Sequence, residues 1–467
     1  MSIVQPMTLS GAEVLPLVEG GKGVAVSNGR SAGAWAAAGG VGTFSGVNPD
    51  LVDEHGDYVP LDYKTKSRRE RHEELIDYSI KGGISQAQIA HDMRRGEGRV
   101  HMNVLWEMGS CERVLHGVLE GAKGLINGVT CGAGMPYKLA EIAAHYNVHY
   151  HPIVSSARAF RALWKRAHSR FGEWLGSVVY EDPWRAGGHN GLSNTEDPKQ
   201  PGDPFPRVLE LRNLMKSVGL DRVPIIMAGG VWWLREWKDW IDNPDLGPIA
   251  FQFGTRPLLT KESPIPETWK QRLYQLNPGD VLLNRFSPTG FFSSAVRNNF
   301  LKELEKRSDR QVPFTDEVDH ERGFTEALTL NNRGRAVFLQ IEDMHRVADW
   351  HEEGFTSGMR TPEHTLVFVT PERAREIKRD QADCMGCLSQ CKFSNWSDEE
   401  PFTTNRLPDP RSFCIQKTLM SIAHGGDIDN NLMFAGHNVF KFKQDPFYAN
   451  GFVPTVRQLV QRIAAGD

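Results

Sequence analysis

"VPIIMAGG", Val223 to Gly230, is an apolar run that stops at a pair of glycines. A short run with no polar alternation reads as a strand buried on both faces, the kind found in parallel sheets. The same unit recurs outward from it. "PIAFQFGT" follows from Pro248, and "LGSVVYED" (Leu175), "VHYHPIV" (Val148), "GLINGVTCG" (Gly124), "RVHMNVLW" (Arg99), "GVGTFSG" (Gly40) and "GVAVSN" (Gly23) precede it. Helical patterns separate them: "PYKLAEIAAHY" opens at Pro136, "SARAFRALWKRAHSRF" sets Phe160, Leu163 and Ala167 on one face, and "PFPRVLELRNLMKSVG" ends at a capping Gly219. Eight strands alternating with helices predict an α/β protein, a (β/α)8 TIM barrel.

The chain of 467 residues is longer than one such core needs. We expect the barrel over 1–304, a solvated helical insertion at about 48–98 carrying "KTKSRRERHEELIDYSIKGG", and an irregular, partly helical C-terminal appendage over 305–467. Net charge is -4, and positions 271–467 hold 24 Lys and Arg against 27 Asp and Glu. That balance argues against a nucleic-acid partner, and so against an RNA-modifying enzyme with a basic appendage. The start lacks a signal-peptide pattern and no apolar run is long enough to span a bilayer, so a cytoplasmic protein without membrane attachment is expected.

Barrel chemistry sits at the carboxyl ends of the strands. There the sequence carries "AGGHNG" (Ala186–Gly191), "AGGV" (Ala228–Val231) and "FGTRP" (Phe253–Pro257). The pair Gly187 and Gly188, with Gly229, Gly230 and Gly254, lets main-chain N–H groups approach phosphate oxygens, Thr255 adds a hydroxyl, and the helix that follows would add its dipole. A phosphorylated cofactor is predicted. His189 is suited to moving a proton to or from a carbon near neutral pH; the plainer reading is a loop histidine held by a carbonyl.

"AGGHNG", "MAGGV" and "QFGTRPLLTKES", in this order and spacing, resemble the nitronate monooxygenase (2-nitropropane dioxygenase) family and the related flavin-dependent enoyl-thioester reductases. "VTCGAGMPYK" and "HPIVSS" resemble the reductase branch, and "NRFSPTGFFSSAVRNNFLKELE" from Asn284 looks like a closing segment. The resemblance implies an FMN-dependent oxidoreductase. Asn103 and Gln252 would contact the flavin, the glycines and Thr255 would hold its phosphate, and His189 would be base or substrate-orienting group. The implied substrate is a small molecule: an alkyl nitronate oxidised with oxygen, or an enoyl-type compound reduced with NAD(P)H. Where the family opens its first strand with an Ala-Pro-Met type turn, this chain has "VAVSNG". Trp233, Trp237 and Trp240 after "AGGV" read as a helical stripe that packs on the appendage or on a second copy in a homodimer.

Four of the six cysteines, Cys384, Cys387, Cys391 and Cys414, lie in the appendage. CxxCxxxC with a fourth thiol suits a 4Fe-4S iron-sulfur cluster, with zinc as the alternative metal. Such a cluster would pass single electrons between the flavin and a one-electron carrier protein. Cys131, ending the fourth strand, is a candidate proton donor facing the flavin, and Cys111 reads as a buried helical residue.

Overall fold

The computed structural model describes residues 2–330 and 336–467. Eight parallel strands close a barrel in strict chain order: Leu17–Glu19, Val41–Ser45, Arg99–Leu105, Gly128–Gly132, His149–Val154, Val178–Glu181, Ile225–Ala228 and Ile249–Phe253, the last pairing with the first. The apolar runs bury as expected, with Ile225, Ile226 and Met227 fully enclosed.

One strand lies elsewhere than the sequence suggested. The first is Leu17–Glu19, and "GVAVSN" belongs to a loop that runs along the barrel mouth. Its glycines explain the loop: a Cβ on Gly21 would lie 2.2 Å from the Asn103 side chain. The antiparallel pair Met7–Leu9 and Ala12–Val14 closes the other end. Ser10, in its turn, sits between two fully buried histidines, 2.8 Å from His101 Nε2 and 2.9 Å from His151 Nε2.

The charged segment forms a long helix, Arg68–Arg94, but it is a packed barrel helix and not a solvated insertion. Leu75, Ile76, Gly83, Ala87 and Ala90 are buried on it. Gly29 and Gly33 on the helix Gly29–Ala37 let the two backbones meet closely: a Cβ on Gly29 would lie 2.3 Å from the Gln86 carbonyl. The charges crowd the first turns of the helix, and the small residues Gly82, Gly83, Ala87 and Ala90 are buried further along it.

Residues beyond the barrel build a small three-stranded antiparallel sheet, Gln311–Pro313, Ser357–Arg360 and Thr365–Val369, followed by the helix Pro371–Ala382, the cysteine loop, and the helix Ile415–Ala423. The tryptophan stripe is not an α-helix. Leu234–Trp237 is a single 3₁₀ turn, from which Trp237 packs on Phe251 and Trp240 on Phe205 of the barrel, while Trp232 packs on Phe442 and Tyr448 of the C-terminal segment. Among the described residues no helix is long and apolar enough to cross a membrane.

Candidate active site

A cavity opens at the carboxyl ends of the barrel strands. Asn103, Gly187, Gly188, His189, Gly229, Gly230, Gln252, Gly254 and Thr255 all line it. Asn103 and Gln252 come from the third and eighth strands, where inward side chains are fixed by strand alternation. Asn103 is held by Thr130, whose Oγ1 donates to its Oδ1 at 3.0 Å. Gly229 and Gly230 both take positive φ, which places their backbone at the rim. A Cβ on Gly254 would meet nothing within 4 Å, so that glycine faces open space.

His189 is positioned by antiparallel pairing. Gly188–His189 forms a short strand against Ser293–Ser294, and the loop before Ser293 brings Ser287 Oγ to 2.7 Å from His189 Nε2. Burial pushes the imidazole down to about 4, so it is neutral at neutral pH. A neutral imidazole accepts a proton and donates a hydrogen bond; it is not a standing acid.

Cys131 does not reach the cavity. Thr130 and Gly132 take the inward positions, and Cys131 points into the core beside Cys111, where burial first and the neighbouring thiol second hold it well above its usual range. The expected helix dipole at the phosphate loops is also missing, since Thr255 is followed only by a 3₁₀ turn, Arg256–Leu258. The C-terminal segment takes that place. Gly436 N–H donates to Thr255 Oγ1 at 3.1 Å, Asn438 Nδ2 donates to the Gly230 carbonyl at 2.6 Å, and His437 N–H donates to the Arg185 carbonyl. Gly187 is pressed against this segment, with room for no Cβ, and Phe434 meets the His189 ring edge-on at 5.4 Å.

Other cavity groups escaped the sequence reading. Lys22 lines it from the glycine-rich loop. Glu181, at the end of the sixth strand, is pushed up to about 8 by burial and then by Asp182, so its carboxyl is protonated at neutral pH. The Ala-Gly-His-Asn of residues 435–438 echoes the Gly-Gly-His-Asn of 187–190, a sequence signal that could have flagged the segment.

The cysteine loop is stitched to the barrel. Gly109 N–H donates to the Cys387 carbonyl at 3.0 Å, Ser389 N–H to the Glu107 carbonyl at 2.8 Å, and His72 Nδ1 lies 2.9 Å from the Gly386 carbonyl. Cys387 itself lines the cavity, with Leu388, Ile415 and Gln416 beside it. Burial and the neighbouring thiols raise Cys387 well above its usual range; burial leads in raising Cys391 to about 11 and Cys414 to about 12. Ser394 Oγ donates to Cys384 Sγ at 3.0 Å and Gly386 N–H at 3.5 Å. Among the described residues no three His, Cys, Asp or Glu side chains stand close enough to share one metal ion.

A closed barrel with glycine loops and a half-buried histidine at its strand ends defines a barrel of the enzyme type, with a cradle fit for a phosphorylated cofactor. The chain belongs to the nitronate monooxygenase family, whose model matches residues 100–351, more than half of it. As a member it is an FMN-dependent oxidoreductase, and the glycine cradle and open space at Gly254 fit that cofactor. The fold is shared with FabK from Thermotoga maritima, at 16% identity and a TM-score of 0.52 over 96% of this chain and 91% of that one. Also similar are the enoyl reductase domain of MlnA from Bacillus amyloliquefaciens (13% identity, TM-score 0.49, 96% and 93% covered) and a nitroalkane oxidase from Streptomyces ansochromogenes (18%, 0.45, 62% and 78%). Comparison with curated proteins gave no match.

Proposed function

We propose that the protein is an FMN-dependent oxidoreductase acting on a carbon acid or an activated alkene, with His189 as the proton-transfer residue and a 4Fe-4S cluster on Cys384, Cys387, Cys391 and Cys414 as its electron port. One observation carries the reading: Cys387 and His189 line the same cavity. FMN, when bound, supplies the two-electron exchange with the substrate carbon. His189, neutral and held through its Nε2 by Ser287 Oγ, accepts the proton of a carbon acid, or returns one when the reaction runs toward reduction. Phe434 packs edge-on against one side of the imidazole.

Burial first, and the neighbouring thiols after it, hold Cys387, Cys391 and Cys414 in the protonated form, and as thiolates they would call for a metal to take up their charge. A cubane cluster takes four thiolates and draws N–H and O–H donors to its sulfurs, as Gly386 and Ser394 offer at Cys384. A one-electron carrier protein would complete the path. The test is a visible and EPR spectrum with iron and sulfide analysis of anaerobically purified protein. A sample without iron sinks the electron port. Anaerobic mixing with an alkyl nitronate and with NAD(P)H then separates the two substrate classes; a flavin spectrum unmoved by either rejects both.

A further inference from the structure

The cysteine loop collects hydrogen-bond donors. Cys384 Sγ receives Ser394 Oγ at 3.0 Å and the Gly386 N–H at 3.5 Å. Main-chain N–H groups of Gln416, of Phe393 and Ser394, and of Lys417 are directed at Cys387, Cys391 and Cys414. A protonated thiol is a weak acceptor, so donors in this number are poorly used on it.

More donors surround the same loop without a partner. Residues 61–67 form a strap ahead of the helix Arg68–Arg94, and Tyr63 packs on the core cluster that holds Cys384, Cys387 and Cys391. Burial first, then the neighbouring Cys387, Cys414 and Cys384 thiols, push its hydroxyl up. That hydroxyl, Arg68 Nε, Arg71 Nη1 and Trp396 Nε1 are all buried with no hydrogen-bond partner among the described residues. Their own neighbouring atoms tie three of them to the loop: Arg68 Nη2 donates to the Ser394 carbonyl at 3.1 Å, Arg71 Nη1 lies 3.9 Å from Asp383 Oδ1, and Trp396 stands in strand register with Cys391. Asp383 is 63% exposed, so water screens that ion pair and leaves the guanidinium poorly matched. Four unmet buried donors at one loop call for an acceptor, and two guanidiniums among them select an anionic one. Thiolates on a metal centre carry net negative charge and accept such donors at sulfur.

We propose that Tyr63, Arg68, Arg71 and Trp396 wall an anionic metal-thiolate centre on Cys384, Cys387, Cys391 and Cys414, and that Tyr63 and Arg71 set its reduction potential. Each donor favours the more negative, reduced state of the centre, and so eases the passage of one electron to it from the flavin. The proposal deepens the electron-port reading above and rests on it for the identity of the metal.

The test compares anaerobically purified, FMN-loaded wild type with Tyr63→Phe and Arg71→Met. In an EPR-monitored redox titration, Tyr63→Phe should be harder to reduce, by roughly threefold to tenfold in the oxidised-to-reduced ratio at a fixed potential; tenfold is about 59 mV for one electron. Arg71→Met, which also removes a charge, should shift further the same way, and Arg71→Lys should recover part of the shift. Metal-free protein should answer in the opposite sense: Tyr63→Phe there removes an unmet buried hydroxyl, and should leave the denaturation midpoint unchanged or raise it. A role in packing alone would lower that midpoint and leave the potential in place. Cobalt(II) titration of metal-free protein, read by thiolate-to-cobalt charge-transfer absorption, decides the matter without iron, with wild type binding at least about threefold more tightly than Tyr63→Phe. Protein that purifies without iron yet shows this cobalt difference defeats the electron port and keeps the wall of donors. A potential and a cobalt affinity unmoved in both variants, or cobalt that meets no thiolate in wild type, overturns the proposal.

Discussion

Asn438 Nδ2 donates to the carbonyl of Gly230 at 2.6 Å, tying the C-terminal segment to a loop that ends the seventh barrel strand. The bond reaches from the C-terminal segment to the glycine loops proposed to cradle the cofactor phosphate. Asn438→Ala would free Gly230, whose positive φ leaves it few constraints of its own. Loss of one such bond is worth about 1 kcal/mol, so FMN affinity should fall by roughly five- to tenfold. Titration of apoprotein with FMN, read by flavin fluorescence, checks this; unchanged affinity would mean that the segment does not support the cradle.

His189→Ala should slow the proton-transfer step by about 10²- to 10⁴-fold while leaving FMN uptake intact. In wild type the imidazole is the accepting form above about pH 4 and loses that role as pH falls through it. A rate profile of the reductive half-reaction should therefore stay level from neutrality down toward that value, then drop. A limb centred near the ordinary histidine value would show that His189 is less buried in the working enzyme.

The strands were legible because fully buried parallel strands write themselves as unbroken apolar runs, and seven of eight lie where those runs fall. Leu17–Glu19 was not, since three residues leave too short a run and the glycine-rich stretch after it looked more like a strand. The barrel's share of the candidate site was visible as glycines and a histidine at strand ends. Lys22, Glu181 and Asn438 were not, because their importance lies in burial and in contacts across the chain that no spacing encodes. Cys131 misled for a local reason: a strand end shows which residues are near the mouth, and only register shows which of them face it.

Cys131→Ala and Cys387→Ser should separate cleanly. The first removes a core thiol that does not touch the cavity, costing about 1 kcal/mol of stability with turnover unchanged. The second removes a proposed cluster ligand on the cavity wall, and should abolish the EPR signal of the reduced protein while FMN still binds. Loss of turnover in Cys131→Ala would restore that residue to the mechanism.

Acid should destabilise the barrel through its closed end. His101 and His151 are fully buried, and burial pushes His101 down to about 3 and His151 well below its usual value. Each folded-state pKa lies below the unfolded value of roughly 6.5, so between the two the unfolded chain binds the extra proton and stability rises with pH. From pH 6.5 downward each histidine should therefore cost about 1.4 kcal/mol per pH unit, until the folded protein also protonates. Denaturant midpoints between pH 7 and 4.5 measure the slope. His101→Gln, which keeps a hydrogen-bonding partner for Ser10, should roughly halve the share due to this pair.

Asp445 is the anchor of the segment that reaches the cavity. Its Oδ2 accepts from Nε1 of both Trp232 and Trp233 at 3.1 Å and lies 3.7 Å from Arg256 Nη2, with the arginine and the carboxylate both buried. Arg256 also donates to the Trp232 carbonyl, so the guanidinium stays in place when its counter-charge is removed. Asp445→Ala would leave that cation unpaired and two indole donors unmet, at about 3 to 5 kcal/mol. Because residues 434–438 lie only a few positions upstream, the loss should loosen Gly436 from Thr255 and weaken FMN binding along with stability. Asp445→Asn keeps an acceptor for the indoles but not the charge, and should fall between the two in denaturation midpoint while retaining more of the FMN affinity. Equal loss of FMN affinity in both variants would show that the ion pair, not the indole contacts, seats the segment.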